Sequence, residues 1–263
     1  QIAQELKMES ESELGVLIQE TEQFLSKSHA PTPEPSILSE EERNELRIQA
    51  DELVERGNIE EAESLYEEAL GYYNRALDIY KRIEHVKGII EVHQKIGTIC
   101  LHQSKYDDAI EKLNLSLQLS QDHERLDQKI DSLLGLGQAY LERGENQVGL
   151  ESFEKAKQLS QSLGDRFREE ESLRKMSRLF RLIGEYEKSI LYLRQSIEIC
   201  KEIGNRSGEG KGVGDLGSVY NYLGEYEEAL SCFETSIEIC REIGNRRGEG
   251  IHLGNTGLVH KEL

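Results

Sequence analysis

The chain has 263 residues and a formal net charge of −19, from 51 acidic and 32 basic side chains. A negative charge of this size repels phosphate backbones and anionic lipids, so we expect neither nucleic acid nor a membrane as partner. Hydrophobic residues make up 37% of the chain, with no tryptophan and only five phenylalanines. This composition is sparse for one large core and favours thin, stacked helical layers.

All three prolines lie between positions 31 and 35, so the chain after them lacks the residue that most strongly interrupts helices. No stretch approaches the roughly 20 apolar residues of a membrane span, and no secretory leader opens the sequence. The four cysteines form no Cys-x-x-Cys pair, which favours free thiols in a reducing compartment. We therefore expect a soluble, cytoplasmic and largely helical protein.

Residues 1–30 are predicted to form an acidic, amphipathic N-terminal arm, because apolar side chains recur there at helical spacing: Leu14, Leu17, Ile18 and Leu25. Residues 31–38 contain the prolines and are predicted to be an extended linker. The arm is either simply solvated or able to fold back onto the rest of the chain.

The first helix after the linker is predicted to begin near residue 39, where Ser39 and Glu42 have the spacing of a capping box. The unit that follows is irregular, because Gly57 precedes the expected turn position by seven residues. The adjacent segments EEAESLY and EEALGYY resemble a duplicated heptad. This duplication predicts a second helix two turns longer than its equivalents.

A 40-residue repeat organises the remainder of the chain. The segment 196–210 returns as 236–250 and differs only at its sixth and twelfth positions. The same step links a column of small residues and a column of tyrosines, which are Gly97, Gly137, Ser177, Gly217 and Gly257, and Tyr66, Tyr106, Tyr186 and Tyr226. Repeats of this length predict stacked helical hairpins, with the glycines at 144, 184 and 224 ending helices and the Gly-Asp or Gly-Asn pairs at 164, 204 and 244 separating hairpins.

The segment LGSVYNYLGEYEEALSCFETSIEI, residues 216–239, resembles the tetratricopeptide repeat family in its Leu-Gly-x-x-Tyr, Gly-x-Tyr-x-x-Ala and Phe positions. The 40-residue spacing is similar to the long-repeat subclass of Pins/LGN-type and many-repeat protein 28-type arrays. The resemblance implies an all-α, right-handed superhelical solenoid of antiparallel helix hairpins over residues 39–263. It implies about five repeats and one incomplete terminal repeat, whose single helix from Gly248 would expose an apolar edge at Leu258 and Val259.

Sequence patterns of catalysis and of cofactor binding lack their structural context. Residues 212–217 spell Gly-x-Gly-x-x-Gly, but no predicted strand precedes them, so we expect no nucleotide site. The seven histidines contain no metal-binding pair and are predicted to lie at the surface. Cys200 and Cys240 are one period apart, which favours packing positions over a nucleophile and its partner. We expect no enzyme activity, no cofactor and no metal.

A concave groove lined by the first helix of each repeat is the expected binding surface. Arg174, Lys175, Arg178 and Arg181 occupy groove positions in the fourth repeat, and we call these four residues the basic stripe. Planar guanidinium groups suit carboxylate or phosphate recognition, although a solvated face balanced by nearby glutamates is the alternative. Further candidates at groove positions of the other repeats are Lys95, Lys211, Asp215, Asn221, Tyr222 and Asn255.

Two functions are compatible with such an array. The first is a scaffold that holds a peptide or helical segment of a partner protein in the groove; the second is the sensor or regulatory array of a larger signalling enzyme or ATPase. An acidic or phosphorylated partner segment and the chain's own N-terminal arm are both candidates to bind the basic stripe. The exposed terminal helix is a candidate for self-association.

Overall fold

The computed structural model describes residues 38–262, and this part of the chain forms eleven helices and no strand. The part of the chain from Asn44 onward forms one compact unit. The predicted N-terminal arm and the prolines of the linker lie outside the described residues. The helices are α1 (Glu40–Ala62), α2 (Tyr66–Arg82), α3 (Val86–His102), α4 (Tyr106–Asp122), α5 (Leu126–Arg143), α6 (Asn146–Leu163), α7 (Arg166–Leu182), α8 (Tyr186–Glu202), α9 (Arg206–Leu223), α10 (Tyr226–Glu242) and α11 (Arg246–Glu262).

Helices pack in the order in which they follow one another. From α2 to α11, each helix contacts the next along the chain, and first helices also touch one another in the pairs α3–α5, α5–α7 and α9–α11. Because contacts stay between neighbouring hairpins, the described array is an all-α solenoid of stacked antiparallel hairpins, as predicted.

Left-handed turn residues end the helices at the spacing that the sequence indicates. Gly144, Gly184 and Gly224 have positive φ within hairpins, and Gly164, Gly204 and Gly244 have positive φ between them. At the next position, the Asp165 and Asn205 side chains accept hydrogen bonds from the backbone N–H groups of Arg168 and Gly208. The capping box at the start of α1 is also confirmed, because Ser39 N donates to Glu42 Oε2 (2.8 Å) and Glu42 N donates to Ser39 Oγ (3.2 Å).

The first hairpin differs from the predicted one. Its second helix, α2, has 17 residues, as do α4, α8 and α10, whereas α1 has 23, so the predicted elongation of the second helix is wrong. Ser64 is the turn residue, with a φ of 64°. Gly57 lies within α1 one period before Gly97, and a Cβ there would lie 2.5 Å from Cε1 of Tyr73. The glycine therefore serves the close packing of an aromatic ring and not a turn.

The small-residue column permits each second helix to lie close to its first helix. A Cβ on Gly97 would lie 2.8 Å from Cγ of Leu113, and one on Gly217 would lie 2.9 Å from Cε1 of Phe233. Real Cβ atoms do not approach other carbons this closely, so a larger residue would force the helices apart or the ring out of its rotamer. The column thus fixes the spacing within each hairpin.

The terminal helix α11 is docked more firmly than the sequence suggested. Val259 is fully buried against Ala229 and Phe233 of α10, so its predicted exposure is wrong, whereas Leu258 is exposed as expected. Val259 stands one period after Val219, which is also buried. The helix begins at Arg246, two residues before the predicted start.

The prediction that the histidines lie at the surface is wrong for His93. This side chain is only 7% exposed in α3, at the position that Leu133 and Leu173 occupy in later repeats. Its Nδ1 has no hydrogen-bond partner among the described residues. Burial lowers the pKa of His93 to about 4, and the positive charges of Lys81 and Lys112 act in the same direction.

The burial of His93 predicts a specific loss of stability in acid. The unfolded state, with a histidine pKa near 6.5, binds the proton more readily than the native state, so the native state loses stability as the pH falls from about 6.5 to about 4. His93→Leu should remove up to about 3 kcal/mol of this loss, measured by urea unfolding at pH 7 and near pH 4. The matched control His123→Gln, at an exposed helix end, should leave the loss in place; an unchanged loss in His93→Leu would contradict the assignment.

Candidate functional site

The first helices α5, α7 and α9 bring the basic stripe together with two polar residues of neighbouring repeats. A small cavity of about 90 Å³ lies between them, and the second helix α8 supplies part of its wall. Gln138 lies one period before Arg178, and Asp215 lies one period after Lys175, so the repeat places these side chains side by side. The lining residues are Gln138, Arg174, Lys175, Ser177, Arg178, Arg181, Ser189, Leu193 and Asp215.

Three cations of the basic stripe already have a carboxylate beside them. Arg174 Nε lies 3.4 Å from Glu170 Oε1, and Lys175 Nζ lies 3.7 Å from Glu171 Oε1. Burial also lowers the pKa of the Lys175 ammonium group. The stripe is therefore closer to charge balance than the sequence suggested, and a ligand would meet a surface of mixed charge.

Arg178 is paired across the interface between repeats. Its Nη2 donates to Glu142 Oε1 on α5 at 2.8 Å, and Gln138 Nε2 donates to the same oxygen at 2.6 Å. Both Arg178 and Glu142 are substantially exposed to solvent, and exposed pairs of this kind contribute only about 0–1 kcal/mol. A ligand carboxylate could therefore replace Glu142 at little cost.

Arg181 has no carboxylate partner within the described part of the chain. Its guanidinium lies 5.8 Å from the centroid of the Tyr222 ring, and that ring stacks on Tyr186 at a centroid distance of 6.0 Å. Tyr222 is 58% exposed, so the stacked rings present an exposed aromatic surface next to Arg181. A cation held over a ring keeps its hydrogen-bond donors free for a ligand.

Asp215 contributes an unused acceptor to the same cavity. Its carboxylate makes no hydrogen bond or ion pair with the described residues, and the residue is half-buried. Burial raises the pKa of Asp215, while nearby positive groups oppose that shift to a smaller extent: Arg174, Arg181, Lys211 and His252. The cavity therefore contains a donor group, at Arg181, and an acceptor, at Asp215, neither of which is saturated.

The other predicted groove residues are not gathered at this cavity. Lys95 lies on α3 and Asn255 on α11, and both are half-buried. Lys211 and Asn221 lie on α9, the first exposed and the second half-buried, and neither lines the cavity. The structure thus concentrates the candidate site on α7 and α9.

Sequence reasoning missed the role of Glu142, although a regular spacing marks it. Glu142 and Arg178 are 36 residues apart, one period minus one helical turn. The same separation joins Asp107 to Arg143, Arg166 to Glu202, and Arg206 to Glu242. Glu142–Arg178 and Asp107–Arg143 join adjacent repeats, whereas the other two pairs join the two helices of one hairpin. Opposite charges at this spacing therefore indicate contacts between neighbouring helices of the array.

Patterns of cofactor and metal chemistry have structural explanations here. The Gly-x-Gly-x-x-Gly segment lies inside α9, where Gly212 packs on Ile197 and Gly217 packs on Phe233. The described residues contain no cluster of His, Cys, Asp or Glu that could hold a metal ion. Among the described helices, none combines the length and the apolar character needed to cross a membrane. All four cysteines are unpaired, and Cys200 and Cys240 are buried.

The sequence profile of the tetratricopeptide repeat matches residues 50–122, 129–202 and 213–263. The chain belongs to the tetratricopeptide repeat family. Arrays of this family are protein-interaction modules. No curated protein is similar enough in sequence to give a significant match.

Solved structures share the fold at low sequence identity. The Rap conjugation gene regulator of the plasmid pLS20, in complex with the Phr* peptide, has a TM-score of 0.71 and 18% identity, over 89% of this chain and 64% of that one. A Rap protein complexed with Competence and Sporulation Factor has a TM-score of 0.69 and 15% identity, over 80% and 57%.

A signal transduction ATPase with numerous domains from Pyrococcus horikoshii, which has a tetratricopeptide repeat sensor, gives a TM-score of 0.68 and 17% identity, over 79% of this chain and 32% of that one. The chain thus spans less than two thirds of each of these three proteins, and the likeness shows a common fold.

The unpaired carboxylate of Asp215 should cost stability at neutral pH. Because burial raises the pKa of Asp215 above its usual value of 3.8, the native state binds the proton more readily than the unfolded state. The free energy of unfolding therefore falls as the pH rises and the carboxyl group of the native state loses its proton. Asp215→Asn should therefore increase the free energy of unfolding at pH 7 and increase it less at pH 3, measured with urea. The control Asp131→Asn should have the opposite sign at pH 7, because Asp131 accepts two hydrogen bonds from Arg168 (2.6 and 2.8 Å). A destabilised Asp215→Asn would contradict an unpaired role.

Proposed function

We propose that this chain binds an extended segment of a partner protein along its first helices, with the basic stripe and Asp215 at the centre of the site. The observation that carries the proposal is the juxtaposition, at one small cavity, of Arg181, which makes no ion pair within the described part of the chain, and Asp215, a half-buried carboxylate without a hydrogen bond or ion pair there. A peptide supplies both an acceptor and a donor, since its backbone and side chains carry both. A ligand that forms hydrogen bonds with these desolvated polar groups is favoured, because a desolvated group without a hydrogen bond is costly.

The chemistry of the stripe favours a carboxylate or phosphate on the partner. Arg178 is held only by an exposed pair and Arg181 by a ring, so both can present donors to an anion. The complex of the similar Rap regulator with the Phr* peptide supports a peptide as the class of ligand. We propose no catalytic step and no cofactor for this chain. The cytoplasmic location of the chain and its Pins/LGN-type or 28-type subclass stay predictions.

Charge reversal at the stripe tests this function. Peptides of about 12 residues, long enough to cross three first helices in extended form, are selected by display on the unmodified chain. Their affinity for Arg178→Glu/Arg181→Glu should fall by about tenfold or more, because each lost charge-assisted hydrogen bond is worth roughly 1.5–3 kcal/mol. Fluorescence anisotropy measures the affinity, and thermal unfolding confirms that the variant remains folded.

A control variant with the same change in net charge distinguishes the loss of a binding site from a general effect of charge. Lys155→Glu/Lys201→Glu changes the formal charge by the same amount on the second helices α6 and α8, where both lysines are exposed. This control should keep peptide affinity within about twofold, since exposed charges far from a ligand are screened by salt. Equal losses in both variants, or no loss in either, would remove the basic stripe as the site.

A second candidate function is a sensor array that passes ligand binding to a larger signalling protein. Its support is the common fold with the tetratricopeptide repeat sensor of the Pyrococcus ATPase. A sensor must differ in conformation between free and bound states. Spin labels at exposed Asp78 and Glu238, four periods apart, should then change their separation by more than about 2 Å when a selected peptide binds. An unchanged separation favours the rigid scaffold.

A further inference from the structure

The groove changes its chemistry between α7 and α11. On α7 its positions carry charge, including Glu171 and Arg178. Two periods later, the equivalent positions on α11 are Ile251 and Leu258, which are 52% and 62% exposed. Large apolar side chains left in solvent two turns apart on the same face of one helix indicate a surface that a ligand covers.

The apolar positions are held in a fixed place relative to the charged ones. His252 of α11 fills a slot that Gly214 leaves open on α9, because any Cβ at Gly214 would overlap its ring. The same ring packs on Phe233 at a centroid distance of 6.1 Å. Since Gly214 precedes Asp215 directly, the docking of α11 sets Ile251 and Leu258 at a defined distance from the candidate site.

That distance corresponds to a short stretch of extended chain. Packed helices usually lie about 8–10 Å apart, so the two steps from α7 to α9 and from α9 to α11 span at least roughly 16–20 Å. An extended peptide covers about 3.3–3.6 Å per residue. About five or six residues therefore connect a group at Arg181 with a group at Leu258.

We propose that the partner segment is extended and bipartite, with an anionic side chain that binds Arg178 and Arg181 and a large apolar side chain, about five or six residues away, that packs on Ile251 and Leu258. This inference rests on the proposed function and names the chemistry of the partner. Charge complementarity supports the first anchor, because Arg181 makes no ion pair with a carboxylate among the described residues. The exposed Tyr222 ring lies 5.8 Å from the Arg181 guanidinium, at the first anchor.

Another surface of α11 offers a built-in comparison. Gly250 and Gly257 have nothing within 4 Å of an added Cβ, whereas their equivalents Gly210 and Gly217 are covered by side chains of α10. Leu253, 47% exposed, borders this open end face. A helix or a second copy of the chain that covered the end face would contact Leu253, whereas a groove peptide would contact Ile251 and Leu258.

The test uses fluorescein-labelled synthetic peptides that carry an Asp-Glu pair and a Leu-Phe pair joined by Gly-Ser spacers of different lengths, in both orders. Binding should be tightest when about five or six residues separate the anchors in one order. Replacing Leu-Phe by Ser-Ser should weaken binding to the unmodified chain about fivefold, a typical loss for a partly buried apolar contact. The variant Ile251→Ser/Leu258→Ser should bind the Leu-Phe and Ser-Ser peptides with the same affinity. The variant Leu253→Ser should show the same fivefold difference as the unmodified chain.

The outcomes separate this inference from the proposed function. Binding that needs Asp-Glu, Arg178 and Arg181 but ignores the apolar pair or the spacer overturns the bipartite partner and leaves the charged site in place. If Leu253→Ser removes the effect of the Leu-Phe pair, or if the variants change only self-association in sedimentation, the apolar contact lies at the end face. Either result also overturns the bipartite partner. If no peptide binds at about 1 mM, which corresponds to a binding free energy weaker than roughly 4 kcal/mol, both proposals are rejected.

Discussion

Close approach within each hairpin is the constraint on which the groove depends. Where the first helix lacks a side chain, at Gly97 or Gly217, a leucine or phenylalanine of the second helix lies directly against its backbone. This contact sets both the separation and the rotation of the two helices. Because the first helices that pack on a second helix in this way share the same rotation, positions one period apart fall into register, and side chains from α5, α7 and α9 can share one cavity.

The electrostatics of the groove follow from this register. The acidic excess of the chain does not leave the basic stripe as an isolated positive patch, since Glu142, Glu170 and Glu171 lie beside three of its members. Selectivity in such a surface comes from geometry more than from net charge, because exposed pairs exchange partners easily. Arg181 and Asp215 differ from their neighbours in lacking a direct ionic partner among the described residues, and they are therefore the groups most changed by a ligand.

Local sequence signals predicted the period, the turns and the helix caps, because each depends on residues a few positions apart. The error at Gly57 has a physical origin: a glycine is needed both at left-handed turns and where a ring contacts a backbone, and the sequence does not distinguish these uses. His93 was misplaced because its burial depends on the neighbouring helices and not on its own segment. The basic stripe was visible in sequence, whereas its pairing with Glu142 depends on the offset between repeats.

The slot at Gly214 also makes the docking of α11 on α9 specific, because a Cβ at position 214 would overlap the His252 ring. The connectors before α9 and α11 are nearly identical, so a chain that paired α11 with the hairpin normally occupied by α9 would recover many native turns and caps. In that slipped arrangement, His252 would face Arg174 where it now faces Gly214, and ring and guanidinium would compete for one space. The native α9 has Gly212 at the matching position and avoids the conflict. One histidine and one glycine thus distinguish otherwise interchangeable neighbours and disfavour an array shortened by one unit.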